Sequence, residues 1–253
     1  MSSRSRVFRH KFYPRKPFKE IFIKADLAEL VVEPHDEEYL DLSGMVLGGA
    51  VSDVLLDHEE VNGTLRITIR NKEGHRFFDI KVKMRIPINT LLDLFGASLD
   101  MGDIRVDGLP VKKMYLYTAN GDIMIGGVSA GEVKLESING DIYVRGGEIK
   151  NLHISSTNGD VRIESHVEDS RIKADDINGE IRLLITENSN ALIEASSVNG
   201  LIKVYNREKM RIKASEERFL QGMLGEGGSD VILNTVNGNI RIEVLAESLP
   251  EEA

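Results

Sequence analysis

Ser137-Ile138-Asn139-Gly140-Asp141-Ile142-Tyr143-Val144 is the stretch whose pattern decides the fold. Ile142 and Val144 fall at every second place after the Asn-Gly pair, which is strand alternation. The same phrase recurs along the chain. Asn-Gly pairs stand at Asn120-Gly121, Asn139-Gly140, Asn158-Gly159, Asn178-Gly179, Asn199-Gly200 and Asn237-Gly238. The steps between them are 19, 19, 20, 21 and 38 residues, and the last is twice 19. Met101-Gly102 begins a variant of the phrase a further 19 residues upstream. A second alternating run precedes each pair, as at Val133 and Leu135 or Leu152 and Ile154. Each period therefore holds two short strands and two corners. Glycine supplies positive φ at the corner, and asparagine tolerates the turn and can bond to its copy in the next coil.

A meander of hairpins competes with this reading, because Asn-Gly is also a favoured two-residue hairpin turn. A meander does not require whole coils to repeat in phase, whereas parallel stacking of coils does. The expected fold is thus all-β: a single-stranded parallel β-helix, or β-solenoid, right-handed, with 19–21-residue coils. Eight coils, one of them implied by the doubled step, give a rod on the order of 40 Å long.

The expected organisation has four parts. Residues 1–19 hold seven Lys or Arg and no acid, and read as a basic flexible tail. Residues 20–100 read as a β-rich capping region. Within it, Asn62-Gly63 is either a degenerate coil corner or a true hairpin turn. Residues 101–246 hold the repeats, with an insertion near 214–229. There Phe219, Leu220, Met223 and Leu224 have the spacing of a short amphipathic helix, a candidate partner or oligomer contact. Residues 247–253 form an acidic tail.

Composition excludes several functions. The chain has 253 residues, a net charge of -9 and no cysteine. Disulfides, thiolate metal sites and a cysteine nucleophile are ruled out. The charge gives no general attraction to nucleic acid. No apolar run reaches the length of a membrane span, and no secretory signal opens the sequence, so a cytoplasmic location is expected. The histidines lack metal-ligand spacing. No nucleophile elbow, phosphate loop or dinucleotide fingerprint is present. No catalytic residue, metal or cofactor is expected.

One surface feature stands out. Asp103, Asp122, Asp141, Asp160 and Glu180 follow the corners in phase, and alternation points them outward. Most coils carry a base two residues later, at Arg105, Arg162, Arg182, Lys203 and Arg241. Met124 and Tyr143 replace that base in two coils. Asp122, Met124, Asp141 and Tyr143 therefore form a candidate patch for a cation, a sugar-like ligand or a protein.

The in-phase Ser/Thr-Val/Ile-Asn-Gly-Asp/Glu-Ile copies, with the closing stretch Gly225 to Ile242, resemble the "putative-adhesin" β-strand-repeat family. That resemblance implies a right-handed β-helix, no known catalytic residue and adhesion by analogy. The expected function is a non-enzymatic scaffold or interaction protein for a protein or glycan partner. A self-assembling β-helix, with homo-oligomers, and a carbohydrate-active enzyme are the alternatives.

Overall fold

The computed structural model describes residues 7–13, 17–47, 49–72 and 79–246. β1 (Val7–Phe12) opens the chain, followed by β2 (Glu20–Leu27), β3 (Glu29–His35) and β4 (Leu40–Leu47). A 3₁₀ turn at Val51–Asp53 leads to β5 (Val54–Val61), β6 (Thr64–Asn71) and β7 (Asp79–Pro87). Long and short strands then alternate. They are β8 (Leu92–Met101), β9 (Ile104–Asp107), β10 (Pro110–Asn120), β11 (Ile123–Gly126), β12 (Ser129–Asn139) and β13 (Ile142–Arg145). The alternation continues with β14 (Glu148–Asn158), β15 (Val161–Ser165), β16 (Arg171–Asn178) and β17 (Ile181–Thr186). The last part holds β18 (Ala191–Ser197), β19 (Ile202–Tyr205), a 3₁₀ turn at Arg207–Lys209, β20 (Arg211–Ser215) and β21 (Phe219–Leu224). β22 (Ser229–Thr235) and β23 (Ile240–Leu245) close the described chain.

The fold is all-β, in two mixed sheets. The first runs β1-β4-β7-β3-β9-β11-β13-β15-β17-β23-β19, and the second β20-β21-β18-β22-β16-β14-β12-β10-β8-β2-β6-β5. From β8 to β17 each long strand lies in the second sheet and each short strand in the first. Every neighbour there is parallel and in the register of the sequence period: Asn120 pairs with Asn139, Asn139 with Asn158, and Asn158 with Asn178. Alternation buries Val133, Leu135, Ile142 and Val144 and their copies in one hydrophobic cluster between the sheets. Each such side chain contributes roughly 1.5–3 kcal/mol by leaving water.

Spatial order departs from chain order at both ends. The first coil, β2 and β3, lies between β6–β7 and β8–β9. The last coil, β22 and β23, slides between β16–β17 and β18–β19. The doubled Asn-Gly step therefore marks no eighth coil. It covers a detour through β20 and β21 before the chain returns to fill a gap.

The detour also corrects the expected helix. β21 is a strand, antiparallel to both β18 and β20. Leu220, Gly222 and Leu224 point inward and are buried, while Phe219 and Met223 are half-buried. Gly222 occupies the inward place where an apolar residue would have revealed the alternation.

At the other end, Asn62-Gly63 is a hairpin turn joining β5 and β6, with Val61 opposite Thr64. Both turn residues have positive φ, 52° and 83°, as a type I′ turn requires. Residues 7–12 are not a flexible tail but β1, paired antiparallel with β4. The fully buried carboxylate of Asp41 accepts from Arg9 Nε at 2.7 Å and from Arg85 Nε at 3.1 Å, clamping β1, β4 and β7. Those hydrogen bonds, Arg9 first, hold its carboxyl below the usual range. The acidic tail lies outside the described residues.

Because β22 and β23 supply the parallel neighbours of β18 and β19, deleting residues 229–253 should free everything from Glu187 onward. Hydrogen–deuterium exchange should show lost protection there and retained protection from Leu92 to Thr186. Persistent protection of β18 and β19 in the truncated chain would contradict this order of stacking.

Candidate functional site

Three surfaces hold the chemistry of this chain: the Asn-Gly corner, the outer face of the first sheet and the outer face of the second.

At the corner the glycines pack coil on coil. A Cβ on Gly121, Gly140, Gly159 or Gly179 would fall on the carbonyl of the preceding corner glycine, and one on Gly200 or Gly238 on that of its stacked neighbour. Some of these glycines have positive φ, near 150° at Gly121 and Gly140. The requirement common to all six is the close approach. Beside them the asparagine amides form a chain. Asn139, Asn158, Asn178, Asn237 and Asn199 are linked Nδ2 to Oδ1 at 2.8–2.9 Å, beginning on Asn120.

The acids of the repeat belong to this corner. Asp103 Oδ1 accepts the backbone N–H of Asp122 at 2.8 Å. Asp122 accepts that of Asp141, Asp141 that of Asp160, and Asp160 that of Glu180, all at 2.7–2.8 Å. Asn239 does the same for Leu201 at 2.9 Å. The expected ladder of outward acids facing bases is corrected accordingly. Arg105 binds Asp107 and Arg162 binds Glu164, and Glu180 takes both Arg182 and Arg241.

In the candidate patch, Asp141 and Tyr143 line one hollow and Met124 and Tyr143 another, while one carboxylate oxygen of each acid is taken by backbone. Asp122 and Asp141 are engaged by the next coil. Met124 and Tyr143 do sit side by side between Arg105 and Arg162 on the first sheet. Tyr143 is half-buried, with Arg162 5.6 Å from its ring centre. Burial, and then its hydrogen bond to Glu164, push its phenol up from the ordinary value. Of the second candidate group, Leu220 and Leu224 are 1% exposed, so they serve the core and present nothing to a partner.

Two further clusters are structural. His166 Nδ1 lies 2.9 Å from Thr186 Oγ1 and 3.3 Å from Ser189 Oγ, and Glu168 lies 3.6 Å from Nε2. Ser189 is fully buried, and its oxygen accepts the Val167 N–H at 2.9 Å. A substrate has no approach to it. His10 and His58 stack at 4.7 Å, and among the described residues no group of three or more His, Asp or Glu is placed to hold a metal. Among these residues, too, no helix is long and apolar enough to cross a membrane.

Sequence reasoning missed the surface that is a groove. On the outer face of the second sheet Phe22, Gly96 and Tyr115 stand in one row, and Lys24, Ser98 and Tyr117 in the next. Gly96 and Ser98 leave a hollow between larger neighbours, about 710 Å³ in volume. Phe22 leans across it: its Cδ1 is 2.8 Å from where a Cβ on Gly96 would be. Tyr115 is fixed by donating to Glu132 Oε1 at 3.1 Å, and Glu132 is held by Lys113 at 3.2 Å. The signal was present as outward tyrosines two apart in Tyr115-Leu116-Tyr117, beside a strand whose outward places are Gly96 and Ser98.

The Toastrack DUF4097 family profile matches residues 18–176, more than half of the sequence. The chain belongs to this family. The Toastrack match runs from β2 into β16 and ends before the last coil, β22 and β23. Similar solved structures include a "putative cell adhesion protein" from Clostridium sporogenes, 12% identical, with 94% of this chain and 99% of that one covered and a TM-score of 0.44. Another is a "putative adhesin" from Bacteroides fragilis, 12% identical, covering 93% and 96%, with a TM-score of 0.46. A "putative lipid binding protein" from Parabacteroides distasonis is 12% identical over 95% and 97%, with a TM-score of 0.33. No curated protein matches the sequence.

The corner makes two predictions. An asparagine keeps the Oδ1 acceptor that Asn239 already uses, so Asp141→Asn should be nearly neutral. Asp141→Ala should cost about 1 kcal/mol, read from urea midpoints of the pair; equal losses would refute the acceptor role. The second concerns Asp176, which takes the inward place held by Ser137 and Ser156 in earlier coils and Thr235 in the next. Burial raises its carboxyl from the ordinary 3.8 to about 6. The folded chain therefore binds this proton more tightly, and its contribution to stability is lost as pH rises through about 6. Asp176→Ser should stabilise the protein at pH 8 by about 2–3 kcal/mol and do little at pH 3.5. A stability gain that does not change with pH would sink this account.

Proposed function

We propose that this chain is a non-enzymatic, adhesin-like interaction module, built as a right-handed β-solenoid, that binds its partner in the groove of the second sheet. The observation that carries this reading is the hollow itself. It interrupts an otherwise regular face, exposes parts of three aromatic rings and lies in the size range of ligand sites. Aromatic side chains supply large contact area at low entropic cost, which suits recognition.

The ends of the molecule favour a binding module over a self-assembling rod. β5 carries Asp57, Glu59 and Glu60 on its outer strand, and β20 has a register shift between Ile212 and Ala214 beside Arg211 and Lys213. β19 is only four residues long. Short, charged and irregular edges block strand addition.

The test is binding of the full chain to a panel of immobilised glycans and proteins, with the Tyr115→Ser/Tyr117→Ser double variant alongside. Saturable binding that the variant loses, with the ligand recovered chemically unchanged, is the expected result. Turnover of a bound ligand would show an enzyme. Binding indifferent to the double variant would move the site elsewhere.

A further inference from the structure

The charges around the groove say more about its occupant. The acids on its rim are already neutralised: Glu132 by Lys113 at 3.2 Å and Glu136 by Lys134 at 2.6 Å. The cations on the opposite side are not. Lys24 and Arg66 form no ion pair among the described residues, although both line the hollow. Arg66 stacks its guanidinium 5.3 Å from the Phe22 ring centre. Glu59, which faces it across the strand pair, closes no salt bridge with it. Two uncommitted cations thus sit beside an aromatic floor and an aromatic wall.

We infer that the groove is a binding site for a short acidic saccharide, an oligosaccharide of uronic-acid type. This inference rests on the interaction-module reading above and deepens it. A pyranose ring has an apolar C–H face that stacks on Phe22, Tyr115 or Tyr117. Its hydroxyls meet the Tyr117 phenol, Ser98 and Thr68 at the same level. Its carboxylate is matched by Arg66, whose planar fork suits two oxygens, and by Lys24.

Other occupants fit less well. A peptide added as a strand needs an open sheet edge, and β2, β8 and β10 are paired on both sides. A helix needs a long apolar stripe, and here three rings are bounded by charges of both signs. The net charge of -9 opposes a long polyanion approaching from a distance. Recognition is therefore local, by a few residues of sugar.

Titration calorimetry of the full chain with trigalacturonate and with its methyl ester tests the inference. Trigalacturonate should bind, and the uncharged ester should bind more weakly. Tyr117→Ala should weaken both by about tenfold, because it removes the stacking wall. Lys24→Gln with Arg66→Gln should abolish the preference for the acid while leaving ester binding intact. Each substitution is on the outward face, and an unchanged melting temperature confirms the fold. Absence of binding by either sugar, or an acid preference that survives loss of both cations, would overturn the inference. If the sugars fail but a partner from the immobilised panel still depends on Tyr115 and Tyr117, the saccharide assignment alone falls. If panel binding is also indifferent to those tyrosines, the groove reading falls with it.

Discussion

The closeness of stacked glycines at the Asn-Gly corner is the constraint on which the rest depends. At Gly140 and its copies the neighbouring coil's carbonyl occupies the space of a Cβ. Only glycine permits that approach. Once coils meet there, the other groups of the phrase fall into place. The asparagine amide reaches its copy, the aspartate carboxylate reaches the next N–H, and inward hydroxyls such as Thr118 and Ser137 donate to the corner carbonyls of Gly102 and Gly121. The repeated acid, which alternation alone presents as a surface charge, is a corner ligand for backbone.

Such a corner makes coils interchangeable neighbours. Asn237 bonds Asn178 on one side and accepts from Asn199 on the other, although the sequence separations are 59 and 38 residues. Because each coil offers the same stacking surface, the chain can leave, form β18 to β21, and return to fill the gap. The first coil does likewise at the other end. The coils β2–β3 and β22–β23 are thereby each held between two others, while antiparallel β1, β5 and β20 and the short parallel β19 occupy the sheet edges. A coil gripped on both faces frays less readily than one at the end of a stack.

The same interchangeability explains what the sequence revealed. Strand positions, corner positions and parallel register followed from the period of Asn120 to Asn178, since the pattern specifies which residues face inward. Spatial order did not follow, because an identical phrase carries no label for its neighbour. The helical reading of Phe219 to Leu224 failed where Gly222 stood in an inward place and broke the visible alternation. Asn62-Gly63 remained ambiguous because a hairpin turn and a coil corner use the same two residues. The corner role of Asp122 and Asp141 was not legible for a different reason: alternation gives the direction of a side chain but not its hydrogen-bond partner. The groove was overlooked because it arises from small residues, Gly96 and Ser98, whose effect depends on what stands in the adjacent strands.

Function on this scaffold therefore has to come from departures from the repeat. Corners and core are fixed by stacking, which leaves the outward places as the free variables. On the first sheet those places are largely consumed by internal pairs such as Arg162 with Glu164 and Arg182 with Glu180. On the second sheet the pairs around Lys113 and Lys134 are likewise closed, yet Lys24 and Arg66, beside a gap in the side-chain layer, form no ion pair among the described residues. A gap lined by aromatic rings costs stability unless something fills it, since half-exposed apolar surface gains by leaving water. The strands around Gly96 are thus where this architecture gives up regular packing, and where a ligand has the most to gain.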